Sequence, residues 1–380
     1  MNIAQTPNSL FLSLGSNMGN RLENLQNAVD LLFENLGLVL KVSSVYETPA
    51  MGFHGSPFLN AAVVLKTEMK PLDVLTIIMD IEKSLGRERS NSPEYASRPI
   101  DIDVLFFGDE IITSEKLIVP HPRMQMRKFV LQPLMDLDPE YVHPLVRKPV
   151  SQLLAETTDL SEITVIKEKL EDPRRKYPIS QFGFIAIEGN IGAGKTSLAT
   201  KIAEEFNAKL ILERFKENPF LPKFYKNAAQ YAFPLEMSFL ADRYQQMMDD
   251  SSSIDLFTDC IISDYDIFKS LVFARITLAE EEFLLYKKLF DIMQRELPKP
   301  HVYVYIYQDT DRLLKNIQKR GREYEQEIEA DYLDKLNSGY LELIKSKKDL
   351  NVKIIDISDM DFIENRKDYI EILQKIVAAE

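Results

Sequence analysis

The first half of the chain alternates short apolar runs with amphipathic stretches. Apolar runs bounded by turn residues predict strands, and apolar side chains that recur every three or four positions predict helices. In chain order, strands are predicted at residues 10–15, 38–48, 58–68 and 97–110, and helices at residues 20–37 and 71–86. This β-α-β-β-α-β order is that of a ferredoxin-like α+β domain, which a hairpin and a short helix extend to about residue 158.

A different pattern follows a polar, charged segment with two prolines at residues 157–181. Such a segment is typical of a linker, so we predict domains at residues 1–158 and 181–380 and a linker at residues 159–180. In the second domain a strand runs into a glycine-rich loop, and long helical stretches separate the later strands. The predicted elements are strands at residues 182–189, 210–213, 301–307 and 352–358, helical stretches through 230–292, and a last helix. This pattern predicts an α/β fold with a parallel sheet.

Composition narrows the function classes. The 380 residues suit two domains, and the net charge of −13 argues against a general nucleic-acid binder, which needs a basic surface. The single cysteine, Cys260, excludes an intrachain disulfide framework and suits a reducing compartment. We find neither a signal-peptide pattern at the start nor an apolar run long enough to span a bilayer. We therefore expect a cytoplasmic protein with no membrane partner.

Residues 189–196 read GNIGAGKT, which fits G-x-x-x-x-G-K-[ST] between a predicted strand and a predicted helix. Glycines let backbone N–H groups turn toward phosphates, Lys195 supplies a positive charge, and Thr196 offers a hydroxyl to Mg²⁺. We call this segment the phosphate loop and expect it to bind a nucleoside triphosphate. Its ATP-binding residues are Gly189, Asn190, Ile191, Gly192, Ala193, Gly194, Lys195 and Thr196.

Two other features of the second half suggest chemistry. Glu213 ends a predicted strand near the phosphate loop, where a carboxylate can take a proton from an attacking hydroxyl, although a surface glutamate fits the pattern equally well. Arg320 and Arg322 lie next to Glu325, and arginines on a mobile segment can close over a transferring phosphoryl group. The alternative for that segment is a solvated, charged helix face.

Four motifs make the second half resemble the deoxynucleoside kinase family: GNIGAGKT, LERFKENPFLPKFY, YAFPLEMSFLADRY and KRGREYEQEIEADYL. The resemblance covers roughly residues 180–380 and implies that ATP phosphorylates the 5′-hydroxyl of a deoxynucleoside. It also implies that Glu213 is the general base and that Arg320 and Arg322 belong to a lid. The implied substrate contacts are Tyr225 and Glu325 at the sugar 3′-hydroxyl, Arg243 near the 5′ end, and Asp264.

The second half departs from that family at two places. Glu236 stands where many members carry a base-reading glutamine, and an ionised glutamate only accepts hydrogen bonds, which favours a purine that offers N–H groups. A Glu-Arg-Ser motif usually precedes the segment that matches SDYDIF, but TDCIISDYDIF contains no arginine. The alternative is therefore a catalytically silent domain that serves as a nucleotide-binding or dimerisation scaffold.

The predicted strand at residues 97–110 carries Asp101 and Asp103, which point to the same face of a strand. Two carboxylates beside a core are costly without a cation, and Mg²⁺ commonly uses one or two carboxylates together with phosphate oxygens. Arg87 and Arg98 lie close by in sequence. This combination suggests a site for a metal-bound polyphosphate, and the alternative is a strand edge whose aspartates pair with local arginines.

Six motifs in order make residues 9–158 resemble 6-hydroxymethyl-7,8-dihydropterin pyrophosphokinase: LSLGSNMGNRLENL, SSVYETPAMG, FLNAAVVLKT, IEKSLGRER, RPIDIDVLFFG and VPHPRMQMRKFVLQPL. The resemblance implies transfer of pyrophosphate from ATP to the pterin hydroxymethyl group, a step of folate biosynthesis, with release of AMP. It implies that Asp101 and Asp103 bind Mg²⁺ and that Arg87 and Arg98 act on the triphosphate. The implied ATP-side residues are His121, Arg123 and Arg127, and the implied pterin pocket consists of Thr48, Pro49, Met51, Phe58, Asn60 and Phe129.

The two resemblances together predict a bifunctional ATP-dependent transferase with Mg²⁺ as its metal. We expect ATP, hydroxymethyldihydropterin and a deoxynucleoside as ligands, no nucleic-acid partner, and a homodimer formed through the kinase half. A non-catalytic regulatory module is the alternative for the first half.

Overall fold

A computed structural model describes residues 8–50, 55–88, 97–214, 218–252, 258–322 and 325–378 of the chain. The chain divides into two compact units, Met1–Lys176 and Tyr177–Glu380. Among the described residues, no helix is both long enough and apolar enough to cross a membrane.

The first unit is a mixed α/β unit built on an antiparallel sheet. Its strands are β1 (Ser9–Ser16), β2 (Leu38–Val42), β3 (Tyr46–Thr48), β4 (Phe58–Lys66), β5 (Asp101–Phe107), the hairpin strands β6 (Ile112–Thr113) and β7 (Ile118–Val119), and β8 (Thr164–Val165). Its helices are α1 (Arg21–Asn35), α2 (Pro71–Ser84), α3 (Lys128–Leu137) and α4 (Val150–Glu156). The strand order is β5-β1-β4-β3-β8, with β2 also paired to β4, so β1 and β4 lie at the centre.

The core of this unit lies on both faces of the sheet, because β1 is buried along its whole length. Phe11 and Phe106 pack on one face against Val130 and Leu134 of α3. Alternate residues of a strand point to the opposite face, where α1 and α2 pack. Helices thus cover both faces of the sheet that contains β5, the strand that carries Asp101 and Asp103.

Part of the segment predicted as a linker packs in the first unit. β8 pairs with β3, and a short 3₁₀ helix at Pro173–Lys176 lies against α1. There Arg175 donates to the buried Asp30 carboxylate over 2.8 Å, and Lys176 lies 3.1 Å from its other oxygen.

The second unit contains the parallel sheet that we predicted, which is confirmed. Its strands are β9 (Phe184–Gly189), β10 (Lys209–Ile211), β11 (Ile261–Ser263), β12 (Val302–Tyr307) and β13 (Val352–Asp356). Its helices are α5 (Lys195–Glu205), α6 (Leu221–Lys226), α7 (Ala228–Ser252), α8 (Lys269–Thr277), α9 (Glu280–Met293), α10 (Thr310–Arg320), α11 (Ala330–Ser346) and α12 (Arg366–Val377). The order β10-β11-β9-β12-β13 is parallel throughout, so all carboxyl ends lie at one edge.

Our prediction of helical stretches through residues 230–292 was wrong at β11. This strand pairs with β10 on one side and β9 on the other. It is only three residues long, and Ile262 and Ser263 are fully buried, so neither length nor alternation distinguished it from a helical segment.

Candidate functional site

The phosphate loop connects β9 to α5 at the carboxyl edge of the parallel sheet. Gly192 and Gly194 have positive φ angles of +83° and +88°, which favour glycine. A Cβ atom at Gly189 would lie 2.6 Å from the carbonyl oxygen of Ile306, so a side chain would clash there as well. Glycine is therefore needed at these three positions for the loop to adopt its backbone conformation before α5.

Other loop residues fix this path by hydrogen bonds. Asn190 is fully buried, and its side chain donates to the carbonyl oxygen of Leu333 and to Asn337 Oδ1, each over 2.8 Å. Ile191 donates its N–H to Asn190 Oδ1 over 2.8 Å, and the N–H of the buried Ala193 donates to the Asn190 carbonyl. The loop is thus held in one conformation by the unit around it.

Lys195 and Thr196 begin α5 beneath the loop. The Lys195 ammonium group donates to the carbonyl oxygens of Gly189 and Asn190, each over 2.9 Å. Burial of the ammonium group and repulsion from Lys269 lower the pKa of Lys195 to about 8. The exposed Thr196 donates its hydroxyl to Asp264 Oδ2 over 2.5 Å.

Asp264 follows β11 and links two parts of this edge. Its Oδ1 atom accepts the backbone N–H of Glu213 over 2.8 Å, while its Oδ2 atom accepts the hydroxyl of Thr196. The acceptors of one buried carboxylate therefore hold the end of β10 next to the phosphate loop.

Glu213 lies between two cations. Its Oε1 atom accepts from Arg243 Nη2 over 2.7 Å and Nε over 2.8 Å, and its Oε2 atom lies 2.6 Å from Lys269 Nζ. Burial raises the pKa of this carboxyl group, but Lys269 and Arg243 outweigh burial and hold the pKa well below its usual range. Glu213 is therefore an ionised carboxylate.

A cleft of about 870 Å³ joins these groups. It is lined by the phosphate loop, Glu213, Asp264, Arg312, Arg320, Arg322 and Phe362. We call it the kinase cleft. Arg320 and Arg322 both pair with the buried Glu325, Arg322 Nη1 at 3.2 Å from its Oε1 atom. The structure thus places the two predicted lid arginines on the residue predicted to contact the sugar.

Glu236 lies on α7, two turns before Arg243 on the same face. It is buried, its Oε1 atom accepts from the Thr277 hydroxyl over 3.1 Å, and its Oε2 atom has no hydrogen-bond partner among the described residues. Burial raises the pKa of Glu236 to about 7. A buried acceptor without a donor is what a ligand N–H group would satisfy. Tyr225 lies on α6, and its side chain is outside the described part of the chain.

In the first unit, Asp101 and Asp103 lie at the start of β5. Asp101 pairs with Arg87 over 2.6 Å and with Arg98 over 3.0 Å. Burial and the charge of Asp101 raise the pKa of Asp103 to about 6. The structure thus shows the arginine pairing that was one of the two alternatives, for Asp101, and the site for a metal-bound polyphosphate stays a prediction.

Glu82 and Asn17 are structural partners of this cluster that sequence reasoning missed. The buried Glu82 pairs with Arg87 and accepts the N–H of Ile102 over 2.9 Å. Asn17 accepts the N–H of Arg98 over 2.7 Å. Glu82 gave no signal in the sequence because a glutamate is common within a helix. Asn17 gave none because its partners lie about 80 residues away.

The segment after β7 carries His121, Arg123 and Arg127, and both arginines interact electrostatically with the histidine. Burial and these two arginines lower the pKa of His121 to about 4, so its ring is neutral near pH 7. The Nδ1 atom accepts the N–H of Arg123 over 3.2 Å, which leaves the proton on Nε2. The guanidinium of Arg127 lies 5.6 Å from the ring centre of Phe129.

The predicted pterin residues surround the ends of β3 and β4. Asn60 Nδ2 donates to Thr48 Oγ1 over 2.9 Å, and both side chains are buried. Phe58 pairs with Thr48 in the strand register, and it is partly exposed, as is Phe129. Pro49 is exposed after β3, and Met51 lies outside the described residues.

The aspartate cluster fits a magnesium ion that is bound together with ATP. No group of three or more His, Cys, Asp or Glu side chains able to hold a metal occurs within the described ranges. Asp101 and Asp103 offer two carboxylates, and Mg²⁺ usually completes such a pair with phosphate oxygens and water. Burial and the charge of Asp101 raise the pKa of Asp103, and a cation at this position would stabilise its ionised form.

Comparisons with known proteins match each unit separately. The family described as deoxynucleoside kinase matches residues 185–379, and 7,8-dihydro-6-hydroxymethylpterin-pyrophosphokinase matches residues 11–139. The chain is 41% identical over 190 residues to deoxyguanosine kinase from Bacillus subtilis (strain 168), which is 49% of this chain and 92% of that protein. It is 38% identical over 151 residues to 2-amino-4-hydroxy-6-hydroxymethyldihydropteridine pyrophosphokinase from Aquifex aeolicus (strain VF5), which is 40% of this chain and 92% of that protein.

The chain belongs to both families.

It is thus an enzyme that joins a pterin pyrophosphokinase domain to a deoxynucleoside kinase domain. A solved structure of deoxyadenosine kinase from M. mycoides with dCMP and dCDP bound also matches the deoxynucleoside kinase half. It shares 23% identity with a TM-score of 0.44 and covers 50% of this chain and 96% of that chain.

Proposed function

We propose that the pterin unit transfers pyrophosphate from Mg·ATP to 6-hydroxymethyl-7,8-dihydropterin and that the kinase unit phosphorylates the 5′-hydroxyl of a purine deoxynucleoside. The first reaction releases AMP and the second releases ADP, so the two activities are separable by product. We assign the pterin reaction to residues 1–158 and the nucleoside reaction to residues 181–380, joined by residues 159–180. The observation that carries the kinase assignment is the ionised Glu213 carboxylate beside the phosphate loop.

In the kinase reaction, the loop N–H groups and Lys195 hold the phosphates of ATP. Glu213 takes the proton from the 5′-hydroxyl as that oxygen attacks the γ-phosphorus, and its ionised state suits it to that role. Arg320 and Arg322 exchange their pairing with Glu325 for the transferring phosphoryl group when the lid closes. Glu325 then accepts the sugar 3′-hydroxyl together with Tyr225.

Mg²⁺ bound to ATP would neutralise phosphate charge in both units, and Thr196 or the pair Asp101 and Asp103 would hold it. In the pterin unit, Arg87 and Arg98 withdraw charge from the triphosphate as the hydroxymethyl oxygen attacks the β-phosphorus. On the ATP side, the neutral His121 offers its Nε2–H group as a hydrogen-bond donor, and Arg123 and Arg127 add positive charge. Phe58 and Phe129 offer ring faces to the pterin, and Asn60 offers its amide to the polar edge.

The base preference follows from Glu236. Guanine presents two neighbouring N–H donors, and an ionised carboxylate accepts from both, so we propose deoxyguanosine as the preferred purine. The seven-residue spacing places Glu236 about 10 Å from Arg243 along α7, which suits the length of a nucleoside whose 5′ end lies at Glu213. The similarity to a deoxyguanosine kinase supports the same preference.

Replacing Glu236 by glutamine is expected to exchange the preferred base. The amide would direct an N–H group at a guanine N–H group, so kcat/KM for deoxyguanosine should fall by about 10²-fold. Deoxyadenosine, which offers one donor and one acceptor on that edge, should gain. Steady-state kinetics with both nucleosides measures the exchange, and Glu281→Gln, an exposed position on α9, is the matched control. Equal losses for both nucleosides would contradict base reading by Glu236.

The same carboxyl group should make deoxyguanosine turnover depend on pH. Because the pKa of Glu236 is about 7 in the empty site, the carboxylate is ionised above that pH and protonated below it. We expect kcat/KM for deoxyguanosine to fall by up to about tenfold per pH unit below about pH 7. A pH profile of the native enzyme and of Glu236→Gln tests this, since the variant lacks the titrating group. An acid limb that is unchanged in the variant would assign it to another residue.

We also propose a ferredoxin-like topology for the pterin unit and a homodimer formed through the kinase unit. The order β5-β1-β4-β2, with α1 and α2 on one face, supports the topology. The homodimer is supported by α9, where Leu284, Leu285 and Ile292 are at least half exposed.

Product analysis tests the two activities together. The pure protein is incubated with Mg·ATP and either the pterin or one of the four natural deoxynucleosides, and nucleotides are resolved by chromatography. AMP should appear only with the pterin, and ADP with a deoxynucleoside monophosphate should appear with a purine deoxynucleoside. Absence of ADP with all four nucleosides would leave the kinase unit as a scaffold that binds nucleotide.

A further inference from the structure

Lys269 is a buried lysine that the reaction scheme above does not use. It is the first residue of α8 and is only 8% exposed. Its ammonium group lies 2.6 Å from Glu213 Oε2 and 5.5 Å from the ring centre of Phe273. A lysine rarely occupies such a position without a paired carboxylate, and here that carboxylate is the proposed general base.

The contacts of Glu213 divide between its two oxygens. Arg243, which comes from α7, donates twice to Oε1, whereas Lys269 contacts Oε2. The backbone of Glu213 is anchored separately by Asp264. Both Arg243 donors bind Oε1, so among these contacts Lys269 is the one that holds Oε2 in place.

Lys269 also lies close to the phosphate loop. Its charge is among the causes that lower the pKa of Lys195, so the two ammonium groups share one electrostatic environment. Residues 258–268 contain no arginine, and Lys269 is the first cation that follows β11. Lys269 thus contacts the base carboxylate directly and acts on Lys195 of the phosphate loop through its charge.

We propose that Lys269 is a positioning residue of the kinase unit, which orients the Glu213 carboxylate toward the 5′-hydroxyl. Its charge takes the place of the Glu-Arg-Ser arginine that residues 258–268 lack. The inference rests on the proposed deoxynucleoside kinase function. On this proposal, the cation absent from residues 258–268 is supplied from α8, the next helix. The charge is retained, and its donor is a single ammonium group rather than a planar guanidinium.

The test compares Lys269→Met with Lys269→Arg in the full-length protein. Methionine keeps the unbranched chain and removes the charge, so kcat for nucleoside phosphorylation should fall by about 10²-fold. The KM for ATP and the calorimetric Kd for deoxyguanosine should stay within about threefold, because Lys269 contacts Glu213 rather than either substrate. Arginine should restore kcat to within about tenfold of the native value. Lys375→Met, at an exposed lysine on α12, is the matched control.

The outcomes separate this inference from the proposed function. An active native enzyme whose kcat is unchanged in Lys269→Met would overturn the role of Lys269 alone. That role is also overturned if Lys269→Arg binds deoxyguanosine normally but is no faster than Lys269→Met. A native protein that makes no deoxynucleoside monophosphate would overturn the kinase function itself, and the role of Lys269 with it.

Discussion

Replacing Asp101 by alanine is expected to lower the rate of AMP formation by the pterin unit by about 10³-fold. Asp101 and Asp103 start β5 on the same face and form the carboxylate pair proposed to hold Mg²⁺ on ATP. Without one carboxylate, a bound Mg²⁺ would lack one of its proposed ligands, and the cations of Arg87 and Arg98 would lose their shared partner. Chromatographic measurement of AMP under saturating pterin and Mg·ATP gives the loss in kcat.

The matched control for this substitution is Glu110→Ala. Glu110 is an exposed acidic residue shortly after the other end of β5, so its removal changes the net charge equally and leaves the cluster intact. Its rate of AMP formation should stay within about twofold of the native rate. If Asp101→Ala formed AMP as fast as Glu110→Ala, the pterin unit would bind its ligands without using this carboxylate, as a regulatory module would.

Replacing Lys195 by alanine is expected to lower kcat for ADP formation by the kinase unit by about 10³-fold. The ammonium group is held at the centre of the phosphate loop by the carbonyl oxygens of Gly189 and Asn190. When ATP binds, its phosphate oxygens would take the place of these carbonyl oxygens as partners of Lys195. Negative charge builds up on the leaving ADP oxygens as the bond to the γ-phosphorus breaks. The interaction is thus stronger in the transition state than in the ground state, and kcat falls more than KM rises.

Two controls accompany this prediction. Lys375→Ala removes an exposed lysine of α12 and should leave ADP formation unchanged. AMP formation by the pterin unit of the same Lys195→Ala protein serves as an internal measure of concentration and folding, because Lys195 lies in the other unit. A Lys195→Ala protein with normal ADP formation would show that phosphoryl transfer does not occur at this loop.

Predictions from the sequence succeeded where one contiguous segment contains the information. The glycines of the phosphate loop and the strand before it are neighbours in sequence, and the structure gives them the strand-loop-helix context that the motif predicts. Asp101 and Asp103 needed only the two-residue period of a strand to share a face. We missed strand β11 because three residues, two of them buried, are too few to show a period, although this strand places Asp264 between Thr196 and Glu213.

The phosphate loop and the aspartate pair could be read from the sequence because each depends on residues within about ten positions of one another. The two families could be recognised because each leaves several short motifs in a fixed order along the chain. Which cations meet Glu213 could be learned from the three-dimensional packing alone. Arg243 follows it by 30 positions and Lys269 by 56, and no local pattern relates positions so far apart. They meet because β10 and β11 pair in parallel while α7 and α8 pack together above the same sheet edge. The ionised state of the proposed base therefore results from packing and not from any single segment.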